Sequence, residues 1–362
     1  MIAAVYSASK NTYYDPENEN QLDCVGTMVQ HIPSKAQLHV QEVSEDTPGC
    51  ARLMSTMLKP HISVITAIDE SHYEAFGSQE GIIDEILGIE EGMTENGVLI
   101  INKDDPYLNN RRFNKKTITV SLANMDADYY AQDVAVQKDG LEFKVCEAKT
   151  GNKYSVKLNN VYARHNIYSA LQAFAAGVTV GIKHDEIVRG LNQYRTVGKR
   201  QNVFSVDNGS ITIYADCYNA VAKSVGSALE GALKIPVTGK RIAVLGDIEE
   251  AGVLSQKVHI DVIGMVNSAG FDYLFCYGEK LEKAIKEVSG CENLQIAHFS
   301  NKRDMASSIK KIAEAGDLVL FKASRKSKLE DVIKLVWPNE YNKQMLKYYI
   351  PIIKWRFMTI IH

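Results

Sequence analysis

The 362-residue sequence lacks several of the motifs by which an activity is most readily recognised. No GxxxxGK[ST] run occurs, so these residues contain neither the loop of backbone N–H groups nor the lysine that commonly neutralise nucleotide phosphates. GxGxxG is also absent after the strand that begins near residue 241, which argues against a dinucleotide-dependent oxidoreductase. The six cysteines show no CxxC spacing, so we expect reduced thiols and assign no metal to them.

The sequence also has no marked excess of one charge and no recognisable leader. A formal net charge of −3 gives no electrostatic argument for nucleic acid as a partner, because nucleic-acid binders concentrate Lys and Arg on one face. The first fifteen residues contain no basic segment followed by a long apolar core, so no signal peptide is predicted. We therefore expect a cytoplasmic protein that binds no nucleic acid.

Length and composition predict a multidomain globular chain. Hydrophobic residues make up 45% of the sequence and charged residues 23%, which is ordinary for a globular protein, and the chain is too long for one typical domain. We predict a first domain over residues 1–237, a second over 238–338 and an apolar, basic tail over 339–362. Pro351 breaks any single helix in that tail, and its charges argue against a membrane-spanning segment. The tail is interpreted either as packing on its own domain or as making weak contact with a membrane surface or a partner.

Hydrophobic periodicity predicts an α/β fold in both domains. From residue 239 onward, short apolar runs alternate with amphipathic helical segments, as is typical of a parallel, doubly wound sheet. In the first domain, βα units precede two hairpin signals over residues 129–161, which predict a small antiparallel sheet beside a mainly parallel one. The opening residues MIAAVYSA are typical of a helix without a visible cap.

Polar residues follow two of the predicted strands. Asp216, Tyr218 and Asn219 come directly after the run ITIYA, and Lys322 ends the run DLVLFK. Open α/β sheets bind ligands at the carboxyl ends of their strands, so these side chains are candidates for a binding site.

Seven motifs resemble, in order, those of the Mur ligase family and cover most of residues 38–335. They are QEVSE at 41–45, VITAIDESHYEAFGS at 64–78, RHNIYSALQA at 164–173, DCYNA at 216–220, GDIEEAG at 246–252, His259 and FKASR at 321–325. The resemblance implies a Mur ligase central domain, with a mainly parallel sheet and a small antiparallel one, followed by a Rossmann-like C-terminal domain. It also implies ATP and Mg²⁺ as cofactors.

The resemblance assigns roles to individual positions. Magnesium ligands would be Glu42 and His72, and anionic or catalytic contacts would come from Lys322 and Arg325. Nucleotide-binding residues would be His165, Asn166, Arg200, Asp216, Tyr218 and Asn219. The alternatives from the residues alone are a solvated glutamate, a structural histidine, an N-cap at Asn166 and a surface arginine. Asp247 and His259 are consistent with either hinge geometry or ligand contact.

The sequence departs from the family pattern at several positions besides the missing phosphate loop. Ile86 stands where the family carries a lysine that becomes a carbamate ligand for magnesium, and Glu85 could replace it only by a shift in helical register. Ser169 replaces an asparagine, and Val221 and Ala222 replace Asn-Pro after the DCYNA motif.

Two functional hypotheses follow from this mixture of matches and departures. The first is an ATP-dependent ligase that activates a carboxylate as an acyl phosphate and joins it to an amine, with a UDP-muramoyl peptide and an amino acid or dipeptide such as D-alanyl-D-alanine as substrates. The second is a catalytically impaired nucleotide- or peptide-binding protein of the same family. The sequence leaves open whether the chain is a truncated fragment or a relative that does not need the phosphate loop.

Overall fold

The computed structural model describes residues 1–15, 19–68, 73–137, 139–196, 200–249 and 251–343, and the side chains of Tyr73, Glu74 and Val253 are not part of that description. The chain divides into two compact units, which are described separately. The first comprises Met1–Asn159 and Arg164–Arg195, and the second Asn160–Ala163 and Thr196–His362. The predicted tail lies outside the described residues from position 344 onward.

The first unit contains two sheets and the helices that cover them. Its strands are β1 (Thr12–Tyr14), β2 (Leu38–Val40), β3 (Ile62–Ile65), β4 (Val98–Asn102), β5 (Lys116–Ser121), β6 (Tyr129–Gln137), β7 (Gly140–Glu147) and β8 (Lys153–Asn159). Its helices are α1 (Ile2–Ser7), α2 (Leu22–Gln30), α3 (Cys50–Leu58), α4 (Tyr73–Phe76), α5 (Gln79–Leu87), α6 (Asn166–Thr179) and α7 (His184–Gln193).

The larger sheet of the first unit has the order β3-β4-β5-β6-β7-β8. Strands β3 to β6 are parallel, and β6, β7 and β8 pair antiparallel. The antiparallel meander predicted from the two hairpin signals is therefore confirmed, and it continues the parallel sheet through β6 instead of forming a sheet of its own. Strand β4 is buried at every position, as expected for a parallel strand with both faces covered. Strands β1 and β2 form a separate parallel pair.

The predicted helix at the start of the sequence is confirmed as α1, and two glycines allow its close packing. A Cβ at Gly190 of α7 would lie 2.6 Å from the Cα of Val5, and a Cβ at Gly177 of α6 would lie 2.9 Å from the Val5 Cγ1 atom. Val5 itself is fully buried. Larger residues at either glycine would push α1 away from its two neighbours.

The second unit is a doubly wound domain around one sheet. Its strands are β9 (Asn202–Val206), β10 (Ile211–Asp216), β11 (Arg241–Gly246), β12 (Tyr273–Tyr277), β13 (Gln295–Phe299) and β14 (Leu318–Lys322). Its helices are α8 (Ala222–Lys234), α9 (Ser255–Ser268), α10 (Glu279–Glu287), α11 (Lys302–Ile312) and α12 (Glu330–Val336). The sheet order is β13-β12-β11-β14-β10-β9, with only the edge strand β9 antiparallel to its neighbour within this sheet.

The boundary between the units differs from the one that the sequence suggested. Residues 202–216 were placed in the first domain, but β10 pairs in parallel with β14, so the β9–β10 hairpin belongs to the sheet of the second unit. The division falls near residue 196 and not at 237. The pairing partner of β10 lies more than 100 residues further along the chain, so local patterning leaves no signal of it.

No helix in the described part of the chain is both long enough and apolar enough to span a bilayer.

A buried carboxylate on α5 satisfies the start of α3. The two Glu85 oxygens accept hydrogen bonds from the backbone N–H groups of Gly49, at 2.6 Å, and Ala51, at 2.8 Å. Gly49 is the N-cap of α3, where backbone N–H groups have no partner within the helix and the helix dipole favours negative charge. The side chain of Glu85 therefore has a structural task within this unit.

Replacing Glu85 by alanine should destabilise the first unit. Because two buried N–H groups would lose a charged acceptor, we expect Glu85→Ala to lower the free energy of unfolding by about 2–3 kcal/mol, measured by urea denaturation. The exposed neighbour Asp84 provides a matched control, and Asp84→Ala should change stability by less than about 0.5 kcal/mol. Equal effects of the two substitutions would contradict the capping role.

One large polar side chain in the second unit has an unsatisfied hydroxyl. Tyr214 of β10 is 1% exposed, and its Oη atom has no hydrogen-bond partner among the residues that the structure describes. Burial raises the pKa of its phenol, so the group stays neutral. An unpaired buried hydroxyl opposes folding.

Removal of this hydroxyl should therefore not harm the protein. We expect Tyr214→Phe to leave the free energy of unfolding unchanged or to raise it by up to about 1–2 kcal/mol. Tyr129→Phe is the comparison, because the Tyr129 hydroxyl lies 3.4 Å from the Glu147 carboxylate and its loss should be destabilising. Chemical denaturation followed by circular dichroism measures both, and a loss of stability in Tyr214→Phe would show that the hydroxyl is satisfied.

Candidate functional site

The second unit contains a topological switch point, and polar residues from three loops meet there. Strands β12 and β13 extend the sheet to one side of β11, whereas β14 lies on the other side of β11. In doubly wound sheets, ligands bind outside the carboxyl ends of the strands at such a point. The loops that leave this edge follow β10, β11 and β14 at residues 217–221, 247–251 and 323–324.

Lys322 and Asp216 form a buried ion pair at this edge. They are register partners at the ends of β14 and β10, and the Lys322 Nζ atom lies 2.9 Å from Asp216 Oδ2. Their side chains are 2% and 9% exposed. The Lys322 ammonium also donates to the Asn219 carbonyl, and the second Asp216 oxygen accepts from the Gln201 N–H at 3.3 Å. The structure thus brings together Lys322, Asp216 and Asn219 within the second unit, although the sequence analysis assigned Lys322 to a different domain from the other two.

Arg200 and Tyr218 form a second contact beside this pair. The Arg200 guanidinium carbon lies 4.0 Å from the centre of the Tyr218 ring, a cation–π arrangement. Arg200 is exposed and Tyr218 half-buried, so both can meet a ligand from solvent. Asn219 is also exposed, and its Oδ1 atom accepts from the Ala220 N–H at 2.8 Å. A guanidinium on an aromatic ring provides a cation for phosphate and a flat surface for a base or sugar.

The β11 and β14 loops lie against each other. A Cβ at Gly246 would meet the Ala323 Cβ at 2.7 Å, so only glycine allows this approach. Ser324, which the sequence analysis did not single out, accepts from the Glu249 N–H at 3.1 Å and donates to the Ala220 carbonyl at 3.4 Å. The crevice rule alone could have marked Ser324, because it follows the end of β14.

Arg325 and Glu249 are the charged groups at the entrance of this crevice. The Arg325 guanidinium donates to the Glu330 carboxylate and its side chain is 47% exposed. Glu249 accepts from the Lys280 ammonium at 2.6 Å and lies 3.7 Å from Lys326. The hydrogen bond from Lys280 holds the pKa of the Glu249 carboxyl below its ordinary value.

His259 and Asp247 both make hydrogen bonds within the second unit that fix the loop after β11. His259 is fully buried; its Nε2 atom accepts from the Ile248 N–H at 3.0 Å, and its Nδ1 atom lies 2.6 Å from the Ser255 carbonyl. Asp247 accepts from the Lys280 and Leu281 N–H groups at the start of α10. Both side chains hold the loop after β11 in place.

The described candidates of the first unit are His165 and Asn166, at the carboxyl edge of its larger sheet, and Glu42, in the loop after β2. His165 and Asn166 stand at the start of α6, whose Tyr168 donates to Asp104 at 2.8 Å, next to the ends of β4 and β5. The N-cap alternative for Asn166 is wrong, because the helix begins at Asn166 and the cap position is His165, with no side-chain cap bond. Glu42 is exposed and accepts from the Asn20 side chain at 3.0 Å.

Asp104 organises this edge. Although burial opposes the charge, hydrogen bonds from Ser121, Tyr168 and the N–H groups of Leu122 and Ala123 hold the pKa of Asp104 below its ordinary value. The carboxylate therefore ties the loops after β4 and β5 to the first turn of α6, where two of the predicted nucleotide-binding residues lie.

The predicted magnesium site cannot be assembled from the described residues. His72 lies outside them, and Glu42 alone supplies too few oxygen ligands for Mg²⁺. Within the described ranges, no group of three or more His, Cys, Asp and Glu residues is arranged to hold a metal ion. Ile86 packs against an apolar cluster that includes Ile82 and Leu99, and Glu85 caps α3, so neither replaces a carbamate ligand.

Comparisons with known proteins agree with this architecture. The family model described as Mur ligase middle domain matches residues 1–177, and the one described as Mur ligase, glutamate ligase domain matches residues 199–325. Among solved structures, the MurF ligase from Thermotoga maritima in complex with ADP superposes with a TM-score of 0.82 at 21% identity, covering 95% of this chain and 77% of its own. MurF from Acinetobacter baumannii gives a TM-score of 0.81 at 20% identity, covering 92% and 72%.

Curated relatives give the sequence relationship. The UDP-N-acetylmuramoyl-tripeptide--D-alanyl-D-alanine ligase of Bacillus subtilis is 32% identical over 336 residues, which are 92% of this chain and 72% of the relative. The enzyme of the same name from Escherichia coli is 28% identical over 344 residues, covering 94% and 74%. With two family models matched in order and the mixed α/β architecture of the central and C-terminal domains, the chain belongs to the Mur ligase family.

Proposed function

We propose that this chain acts in ATP-dependent amide-bond formation, joining D-alanyl-D-alanine to a UDP-muramoyl tripeptide in peptidoglycan synthesis. The observation that carries the proposal is the 32% identity to the Bacillus subtilis ligase, which extends over 92% of the chain. The cluster of Arg200, Tyr218, Asp216 and Asn219 at a switch point supports it, because the arrangement suits a nucleotide.

The proposed reaction has two steps. A carboxylate oxygen of the peptide attacks the γ-phosphorus of ATP, the bond to the β-phosphate oxygen breaks and ADP leaves. The amine nitrogen then attacks the carbonyl carbon of the acyl phosphate, inorganic phosphate leaves and the nitrogen loses a proton. Magnesium, when bound, would neutralise phosphate charge. Arg200 would bind phosphate oxygens, and Arg325 at its exposed position would meet an anionic group of a substrate.

Under this proposal, each of the two units corresponds to one domain of the ligase. The first unit would correspond to the ATPase-type central domain. The second unit, which carries the Arg200–Tyr218 pair, would correspond to the C-terminal domain of the family.

A second candidate function is nucleotide or peptide binding without catalysis. The specific observation in its favour is the apolar packing of Ile86 at the position where the family carries its carbamate lysine.

A titration followed by a turnover assay separates the two candidates. We expect ADP and ATP with magnesium to bind, as measured by isothermal titration calorimetry, because Arg200 is exposed and Tyr218 is only half-buried. Phosphate release that requires both UDP-muramoyl tripeptide and D-alanyl-D-alanine would establish the ligase. Nucleotide binding without release would establish the second candidate, and absence of nucleotide binding would remove the ligase for this chain.

Arg200 should contribute directly to nucleotide affinity. Because a guanidinium–phosphate hydrogen bond is charge-assisted, we expect Arg200→Met to weaken ADP binding about tenfold or more, with the fold unchanged. Arg303 on α11 is an exposed arginine of the same unit, and Arg303→Met serves as the matched control with unchanged affinity. An equal affinity of Arg200→Met and the native chain would show that Arg200 does not bind phosphate.

A further inference from the structure

The loop formed by residues 216–220 is fastened to the end of β14 at several points. Asp216 and the Asn219 carbonyl bind the Lys322 ammonium. The Cys217 thiol lies 3.8 Å from the Phe321 carbonyl. These anchors lie on both sides of Tyr218 and therefore hold the backbone that carries it.

Ser324 adds a third anchor and connects a second loop. Its hydroxyl donates to the Ala220 carbonyl and accepts from the Glu249 N–H, and the residue is 4% exposed. The loop after β10 and the loop after β11 are thus held by the same side chain.

Lys322 is also connected to Arg200, through Asp216 and the backbone of Gln201. Asp216 uses one oxygen for Lys322 and the other for the Gln201 N–H, directly after Arg200. The ammonium therefore acts on both members of the Arg200–Tyr218 stack, on one through Asp216 and Gln201 and on the other through Asn219.

The contacts of Lys322 disfavour a direct role in chemistry. Its side chain is 2% exposed and its charge is compensated by a carboxylate. To reach a phosphate, it would have to leave Asp216 buried without a counter-charge, which is strongly unfavourable.

From these contacts we propose that Lys322 and Ser324 are positioning residues, which hold the 216–220 loop and Arg200 in the arrangement that receives a ligand. Their effect on nucleotide affinity rests on the proposed function, whereas their effect on the loop does not.

Hydrogen exchange without ligand tests the positioning directly. In Lys322→Met we expect peptides covering 200–203 and 216–221 to exchange about tenfold faster, because hydrogen bonds to a charged group are lost. Peptides of β12 should be unchanged, which distinguishes local release from general destabilisation. Lys322→Arg keeps a cation for Asp216 and should recover part of the protection. Lys334→Met, which removes an exposed lysine from α12, is the control with native exchange.

Ser324→Ala provides a second test that does not depend on whether Lys322→Met folds, because it leaves every charge in place. We expect faster exchange in both 216–221 and 247–252, since one hydroxyl joins the two loops.

An ADP titration of the same variants separates positioning from direct contact. Positioning predicts that Lys322→Met loses about tenfold in affinity together with loop protection. Lost affinity with native exchange would show that Lys322 contacts the nucleotide and would overturn the proposal, as would native exchange in both Lys322→Met and Ser324→Ala. If the native chain binds no ADP, the proposed function fails, while the exchange measurements still decide the role of the two residues.

Discussion

The ion pair between Lys322 and Asp216 is the interaction on which the candidate site depends. It lies at the ends of two adjacent parallel strands, with both side chains almost entirely buried. Removing two charges from water is costly, and the pair is tolerable only because each partner also has further hydrogen bonds, from the Gln201 N–H and to the Asn219 carbonyl. The pair therefore fixes the loop that follows each strand and holds Arg200 close to Tyr218.

Carboxylates that are buried or half-buried also bind backbone N–H groups elsewhere in each unit. Glu85 caps α3, Asp247 caps α10, and Asp104 joins the loops after β4 and β5. Acidic residues used in this way are poor candidates for ligand contact, because their oxygens already accept protein hydrogen bonds. Arg200, Asn219 and Arg325 are the more accessible candidates, since they lie exposed at the edge of the sheet.

Much of the fold of each unit could be predicted from local patterning. Apolar runs such as β4 and β14 are buried at every position, and the antiparallel strands β6 to β8 lie where the hairpin signals over 129–161 predicted them. The predicted domain boundary at residue 237 was less accurate than these local predictions, because β10 pairs with β14, a strand more than 100 residues further along the chain. The N-cap at Asn166 was wrong by one position, as helix starts are set by backbone geometry that sequence defines only approximately.

The family resemblance, the order of strands and helices along each unit and the polar residues that follow strand ends were all predictable without a structure. These features depend on local periodicity and on motifs read in order. Which of those residues contact one another became visible only in the folded protein. There, Asp216 neutralises Lys322, Ser324 joins two loops and Glu85 caps a helix. The role of a charged group or a hydroxyl depends on how deeply it is buried and on which groups it contacts. Strand pairing brings those groups together from distant parts of the chain, so local sequence does not predict them.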